Sequence, residues 1–310
     1  MKVRIGFGVG TRSGLSDPTD LRRLARGLER LGYDSLWFAE RLTGPLLDPL
    51  VAMSYVAGCT EKLKFGPAVM VLPGRNPVEV AKTLASLDRV SGGRLLPAVG
   101  LGAVNPLEHQ AFGVTRKERS ALFDEALPLI RRLWTGEPVT HHGARYQLDG
   151  VRVRPTPVQD PLEVWMGGIS PSELRRTARL GDGWLPSFCT PADVETGIAT
   201  IRSIATEHGR EIDPEHFGAL IVYGDQGLPD EIRDAMTARR PGVDPADLIA
   251  GSRTEVRRLI ERFVAAGASK FVVMPLFDPP DWDDELASLA ETVLPLQNGG
   301  SRTDPEVASS

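Results

Sequence analysis

An acidic and a basic residue, Glu40 and Arg41, stand side by side at the end of a short apolar segment. A carboxylate can take up or release a proton, whereas a guanidinium binds or polarises an oxygen and does not accept a proton near neutral pH. Because neighbouring side chains of a strand point in opposite directions, the two groups would face different surroundings. We take both as candidate catalytic residues; on spacing alone, a structural ion pair with some neighbour is the simpler interpretation.

Glycines could let the backbone approach a flat ligand in Gly100-Leu101-Gly102, which follows an apolar segment. Glycine has no Cβ and accepts positive φ, so the chain can pass close to a ring there. The segment is not a dinucleotide-binding fingerprint, because Asn105 occupies the place of the third glycine and the next regular helix is predicted only near Arg116. We expect Gly100, Leu101 and Gly102 to contact a cofactor; an ordinary glycine-rich strand exit is the alternative.

A phosphate site is predicted in the run Gly167-Gly168-Ile169-Ser170. Two glycines end an apolar segment there, and a helix opens at once with a serine, a proline and, three residues after the serine, Glu173. Backbone N–H groups and the positive end of the helix dipole would converge on an anion at such a place. A tight turn followed by a capping box explains the same residues equally well.

Other common chemistries find no support in the sequence. The nucleophile elbow, the H-E-x-x-H zinc motif and the phosphate loop of nucleoside triphosphatases are all missing. The histidines show no metal-ligand spacing apart from His141-His142, which is more typical of a solvated hairpin. Cys59 and Cys189 are too few for a disulfide framework, and we interpret both as buried thiols. We therefore predict no metal site.

Charge and hydrophobicity exclude two further classes of protein. The chain of 310 residues has 36 basic and 41 acidic residues, a net charge of −5, and no basic block, so nucleic acid is not an expected partner. No apolar run approaches the roughly 18 residues that span a bilayer. We expect a cytoplasmic protein that acts on a small molecule and associates with neither membrane nor nucleic acid.

The elements that must position these residues follow a repeated order of strand, turn and helix. Several helix starts combine a capping side chain with a proline at the first helical position, which lacks the N–H that would otherwise need a partner: Asp17-Pro18, Asp48-Pro49, Asn76-Pro77, Ser170-Pro171 and Thr190-Pro191. Strands are predicted near residues 3–9, 34–39, 63–70, 94–100, 162–167, 183–186, 217–223 and 270–276. Eight strand–helix units favour an α/β fold, the (β/α)8 TIM barrel; an open, doubly wound sheet is the alternative.

Two insertions and a tail interrupt this order. Residues 136–160 are predicted to form a hairpin, and residues 224–251 a lid or a dimer contact. The tail 298–310 is nearly free of apolar residues and is predicted to be disordered. The remaining chain, residues 1–297, is predicted to be one barrel domain that contains both insertions.

Taken in order, several motifs resemble the luciferase-like monooxygenase superfamily, and within it the F420-dependent oxidoreductases related to methylenetetrahydromethanopterin reductase. The resemblance covers about residues 3–296, and its motifs lie at residues 32–40, 66–69, 73–77, 86–94, 99–102, 166–168 and 181–184. It implies a luciferase-like barrel, a homodimer and a flat deazaflavin or flavin cofactor. It also implies a non-proline cis peptide at Ala68–Val69 that supports the ring, and a phosphate loop at Gly167-Gly168.

The sequence departs from the family at the reacting face. Arg41 stands where many relatives have histidine, and Ala103 stands where some sugar-phosphate dehydrogenases have a catalytic glutamate, so the resemblance does not extend to oxidation of a sugar phosphate. Arg175 and Arg176, on the helix after the phosphate loop, could face the anionic tail of F420 or simply solvent. The resemblance implies hydride transfer with F420; an FMN-dependent monooxygenase supplied by a reductase and a barrel that only binds a ligand are the alternatives.

Overall fold

The computed structural model describes residues 1–224 and 227–297. The predicted disordered tail, residues 298–310, lies outside the described residues, as do residues 225–226 of the second predicted insertion. The described strands are β1 (Arg4–Val9), β2 (Ser35–Phe38), β3 (Lys64–Pro67), β4 (Met70–Val71), β5 (Ala98–Gly100), β6 (Val139–His142), β7 (Gln147–Val151), β8 (Trp165–Met166), β9 (Gly183–Trp184), β10 (Gly218–Tyr223), β11 (Ile249–Ala250) and β12 (Lys270–Pro275).

The helices lie mostly between consecutive strands. They are α1 (Pro18–Leu31), α2 (Pro49–Cys59), α3 (Pro77–Ser91), α4 (Pro106–Ala111), α5 (Arg119–Trp134), α6 (Pro171–Leu180), α7 (Pro191–Glu207), α8 (Asp230–Arg239), α9 (Arg253–Ala265) and α10 (Trp282–Val293), with short 3-10 turns at Pro214–His216, Pro245–Asp247 and Leu294–Leu296. Among the described residues, no helix combines the length and the apolar character needed to cross a membrane.

Parallel strands close into a ring. One run pairs in the order β11, β10, β12, β1, β2, β3, and a second pairs in the order β4, β5, β8, β9. Single parallel bridges, Phe65 with Leu95 and Trp184 with Phe217, join the two runs at both ends. Because β3 and β4 are two parts of one strand position and β11 only extends the edge of β10, the ring has eight positions. The predicted barrel is confirmed, and the open sheet is wrong.

Local capping explains where the helices start. All five predicted cap and proline pairs begin helices, and each capping side chain accepts a backbone N–H of the first turn. A sixth pair, Asn105-Pro106, begins α4, so the prediction that the next helix starts only near Arg116 is wrong. The Asn105 side chain accepts hydrogen bonds from the N–H groups of Leu107 and Glu108. A six-residue helix is too short for a clear apolar periodicity, which is why only its cap could have revealed it.

The predicted hairpin region contains β6 and β7, which pair antiparallel. Its His141 bonds to Glu125 on α5 at 3.0 Å and His142 to Gln147 at 3.1 Å. In the part of the chain that the structure describes, no group of three or more His, Cys, Asp or Glu side chains could hold a metal ion. Cys189 is buried, and burial raises the pKa of its thiol to about 12, whereas Cys59 is only partly buried, contrary to the sequence-based interpretation.

Candidate functional site

A cavity of about 310 Å³ opens at the carboxyl ends of the barrel strands. The structure brings nine of the eleven predicted site residues to its wall: Glu40, Arg41, Ala68, Val69, Gly100, Leu101, Gly102, Gly167 and Gly168. Ile169 and Ser170 do not line it, although Glu173, Arg176 and Thr177 of the helix that follows do. These nine residues come from the ends of four strands, β2, β3, β5 and β8, and they meet here only because the parallel sheet closes on itself.

The floor of the cavity is formed where the third barrel strand is interrupted. The peptide bond between Ala68 and Val69 is cis, as the resemblance implies. Val69 packs directly on the next strand, since a Cβ on Gly100 would lie 2.6 Å from its Cγ2 atom. On the other side, a Cβ on Gly167 would lie 3.5 Å from Val69 Cγ1, an ordinary contact distance. The absence of a side chain at Gly100 thus lets Val69 pack against β5, and the absence of one at Gly167 leaves space beside Val69.

The predicted phosphate loop is followed at once by a carboxylate, that of Glu173 in the first turn of α6. Glu173 completes a capping box with Ser170: its Oε2 atom accepts the Ser170 N–H at 3.0 Å. Gly168 has a φ of 91°, and a Cβ there would lie 2.4 Å from Glu173 Cδ. Gly168 is therefore required by the turn and by the capping box, whether or not a phosphate binds. An anion at this helix start must also overcome repulsion from Glu173, so it needs cationic neighbours.

Two arginines, Arg176 and Arg239, stand near this helix start, and the charge of Arg176 is already paired with Asp124. Arg176 is buried on α6 and lines the cavity; its Nε atom donates to Asp124 at 2.6 Å, and its guanidinium stacks 5.4 Å from the centre of the Phe123 ring. Arg175 is exposed and lies outside the lining, so only one member of the predicted pair faces the cavity. Arg239, at the end of α8, also lines it. No local sequence signal marks Arg239, because it reaches the mouth from the second predicted insertion.

The Glu40 carboxylate is already bound within the protein. Its side chain is 1% exposed, and its Oε1 atom lies 2.5 Å from the Arg75 guanidinium, while Oε2 accepts the Val71 N–H at 2.6 Å. Burial raises the pKa of Glu40, and the guanidinium of Arg75 offsets only part of that increase. Both partners belong to the chain that follows the floor, so Glu40 holds this segment in place. A structural ion pair was the simpler interpretation of this residue, and its partner is Arg75.

Arg41 is differently placed. It is half-buried at the cavity wall, and among residues 1–224 and 227–297 no carboxylate lies within 4.0 Å of its guanidinium. The nearby Glu108 carboxylate instead receives the N–H groups of Leu42 and Thr43 at 3.1 and 3.0 Å. Burial alone would raise the pKa of Glu108, but the hydrogen bonds from Thr43 and Leu42 and the charge of Arg41 lower it. Arg41 can thus bind a group from outside the chain.

This difference predicts opposite effects on stability. Glu40→Ala removes the acceptor of the Val71 N–H and the partner of Arg75, and it should lower the free energy of unfolding by about 1–3 kcal/mol. Arg41→Ala should change it by less than about 0.5 kcal/mol, because no internal partner is lost. Urea unfolding of the two variants and the parent checks this. Equal losses would mean that Arg41 also has a structural role.

Comparison with known proteins identifies the family of the chain. The profile of the luciferase-like monooxygenase family matches residues 2–225. The F420-dependent glucose-6-phosphate dehydrogenase of Nakamurella multipartita is 28% identical over 223 residues, 67% of this chain and 64% of that protein. The 4-hydroxyprotoasukamycin monooxygenase of Streptomyces nodosus subsp. asukaensis is 29% identical over 293 residues, 84% of this chain and 77% of that protein.

Among solved structures, the coenzyme F420-dependent tetrahydromethanopterin reductase of Methanopyrus kandleri superposes with a TM-score of 0.77. The alignment covers 96% of this chain and all of that one, at 20% identity, so it supports the fold. The family match spans most of the barrel, including the interrupted third strand, the strand-four glycines and the start of α6. The chain is an oxidoreductase that belongs to the luciferase-like monooxygenase family.

Proposed function

We propose that the protein uses the deazaflavin F420 to transfer a hydride to or from a small organic substrate. The observation that carries the proposal is the combination of a glycine-walled floor with arginines beside the α6 start. A flat ring can lie over Val69, next to Gly167, while an anionic chain extends toward Arg176 and Arg239. When bound, the deazaflavin supplies the hydride chemistry.

The protein's own groups would orient the reactants. We assign Val69 and the glycines of the strand-four exit, Gly100 and Gly102, to support of the ring. Arg41 would bind or polarise the substrate, and Glu40 would position the floor through Val71.

F420 is favoured over FMN by the charge beyond the phosphate position. Both cofactors carry a tricyclic ring and a phosphate, but F420 continues into a longer anionic tail, which benefits from an open, basic exit. Arg239 is exposed at the mouth, and its guanidinium lies 4.9 Å from the centre of the Phe188 ring, which holds it over the opening. An FMN-dependent monooxygenase is the second candidate, because the relative from Streptomyces nodosus subsp. asukaensis is named a monooxygenase and matches more of the chain than the F420-dependent one.

A side-by-side titration tests the choice. Trp184 donates its indole N–H to the Gly168 carbonyl at 2.8 Å, so tryptophan fluorescence should respond to a ligand at the phosphate loop. We expect F420 to bind with micromolar or tighter affinity, more weakly as salt is raised, and FMN to bind much less tightly. Tighter binding of FMN than of F420 would reject the proposal in favour of the monooxygenase.

A pair of arginine variants sharpens this test. Arg239→Gln should weaken F420 binding by about three- to tenfold and FMN binding less, since only the longer tail reaches the exit. Arg175→Gln is the matched control: it also removes one charge near the phosphate loop but lies outside the cavity. Equal effects of the two variants would indicate a general charge effect rather than a contact.

A further inference from the structure

A second, much smaller cavity of about 20 Å³ lies beside the main one, between the strand-four exit and α4. The two cavities share Arg41, Leu101 and Gly102 among their lining residues. His109 of α4 and Arg119 of α5 line only the smaller one. Its volume is close to that of a single water-sized group, so it can admit one oxygen atom with little else.

Two buried polar atoms on this cavity have no hydrogen-bond partner among the described residues: His109 Nε2 and Arg119 Nε. Such atoms are rare, because burying a donor without an acceptor costs about 1–3 kcal/mol. Arg119 is 6% exposed, and a second nitrogen of its guanidinium, Nη1, donates to the carbonyl oxygens of Leu101, Gly102 and Ala103 at 3.0, 3.0 and 3.1 Å. Its guanidinium is therefore fixed, with Nε directed away from those bonds.

The carboxylates on the same cavity do not serve these donors. Glu40 is bound to Arg75 and to the Val71 N–H, and Glu108 is bound to the loop at Leu42 and Thr43. An arginine Nε can only donate, so whatever completes this arrangement must be a hydrogen-bond acceptor. The cavity adjoins the glycine exit on which the ring would lie, which places the acceptor next to the reacting face.

We propose that this small cavity receives the carbonyl oxygen of the substrate, with His109 Nε2 and Arg119 Nε as its hydrogen-bond donors. The inference rests on the proposed function, and it narrows the substrate class to aldehydes and ketones, or to the alcohols formed from them. Arg119 holds the oxygen, and His109 can also give it a proton.

Reduction of the carbonyl group uses one hydride and one proton. The carbonyl carbon gains a hydride from the reduced deazaflavin, the C=O π bond breaks, and the oxygen takes the Nε2 proton of His109 in its imidazolium form. The products are an alcohol and the neutral imidazole of His109; the two electrons of the hydride come from the deazaflavin, and the imidazole regains its proton from solvent. Oxidation of an alcohol is the reverse, with His109 as the proton acceptor.

The test is a nuclear magnetic resonance titration of the histidine side chains in the cofactor-free protein. The probe is cyclohexanone, and methylenecyclohexane, which has the same shape without the oxygen, is its control. We expect cyclohexanone to shift the His109 imidazole signals saturably, while those of His141, His142, His208 and His216 stay unchanged. Methylenecyclohexane should leave all five unchanged. No His109 shift, or an equal shift with both probes, would overturn the inference.

A variant pair separates this inference from the proposed function. His109→Leu should weaken cyclohexanone binding by about five- to tenfold and change F420 affinity by less than about twofold. His208→Leu, at the exposed end of α7, is the matched control and should change neither. If F420 binds and the His109 signals ignore cyclohexanone, only the inference fails. If cyclohexanone binds at His109 and F420 does not bind, the proposed function fails and the oxygen site stands.

Discussion

Asp34→Asn is expected to destabilise the protein by about 3–5 kcal/mol, because it leaves a lysine charge buried without a partner. Lys270 begins β12 at the amino ends of the strands, where its side chain is 3% exposed and its ammonium group bonds to the Asp34 carboxylate. The same ammonium lies 5.7 Å from the centre of the Trp37 ring. No other carboxylate lies within 4.0 Å of Lys270 among the described residues.

A double-mutant comparison isolates the charge effect. Lys270→Met should also destabilise, since it leaves Asp34 with the more distant Lys64, at 3.6 Å, as its remaining cationic partner. The double variant Asp34→Asn/Lys270→Met removes both charges and should recover part of the loss. Urea unfolding of the four proteins measures the coupling. Strictly additive losses would show that the pair contributes nothing as a pair.

The same pair gives a pH dependence. Burial would raise the pKa of Asp34, but Lys270 and Lys64 lower it from 3.8 to about 2. The stabilisation from the Asp34 carboxylate is therefore complete above a pH of about 3.8 and is lost as the pH falls through about 2. Between these values, the parent should lose stability on acidification and Asp34→Asn should lose less. If the stability of the two proteins fell equally with pH, the lowered pKa assigned to Asp34 would be wrong.

Gly167→Val is expected to raise the dissociation constant of the cofactor at least about tenfold, which is about 1.4 kcal/mol. The new Cβ fits the protein itself, with Leu185 O and Val69 Cγ1 both at 3.5 Å, and Gly167 does not have a positive φ. The added methyl groups would instead fill space beside Val69, where the ring is proposed to lie. Fluorescence titration with F420 and FMN measures the effect, and normal binding would mean that the ring lies elsewhere.

Two other glycines serve as controls for this substitution. Gly58→Val on the exposed part of α2, where a Cβ meets no atom within 4 Å, should leave cofactor binding unchanged. Gly168→Ala should lower stability by about 1–3 kcal/mol, because alanine disfavours a φ of 91° and its Cβ meets Glu173. Weaker binding of the cofactor by Gly168→Ala therefore does not by itself locate the phosphate. Gly167→Val tests the cavity without disturbing the capping box.

The sequence by itself determined the barrel and most of the cavity wall. Capping pairs such as Ser170-Pro171 act over three or four residues, and buried parallel strands such as Phe271-Val272-Val273 are continuous apolar runs, so both are visible locally. Because every barrel strand ends on the same rim, placing residues at strand ends also placed them at the cavity. The family resemblance added the cis bond at Ala68–Val69.

Only the tertiary structure decided which polar groups meet. Glu40 pairs with Arg75, 35 residues later, and Lys270 pairs with Asp34, 236 residues earlier, because closure of the ring brings distant segments side by side. Arg239 reaches the mouth from an insertion, and His109 reaches the second cavity on a helix too short to show a periodicity. Whether a charge is paired depends on the distance and burial of a partner elsewhere in the chain, and local sequence patterns do not contain that information.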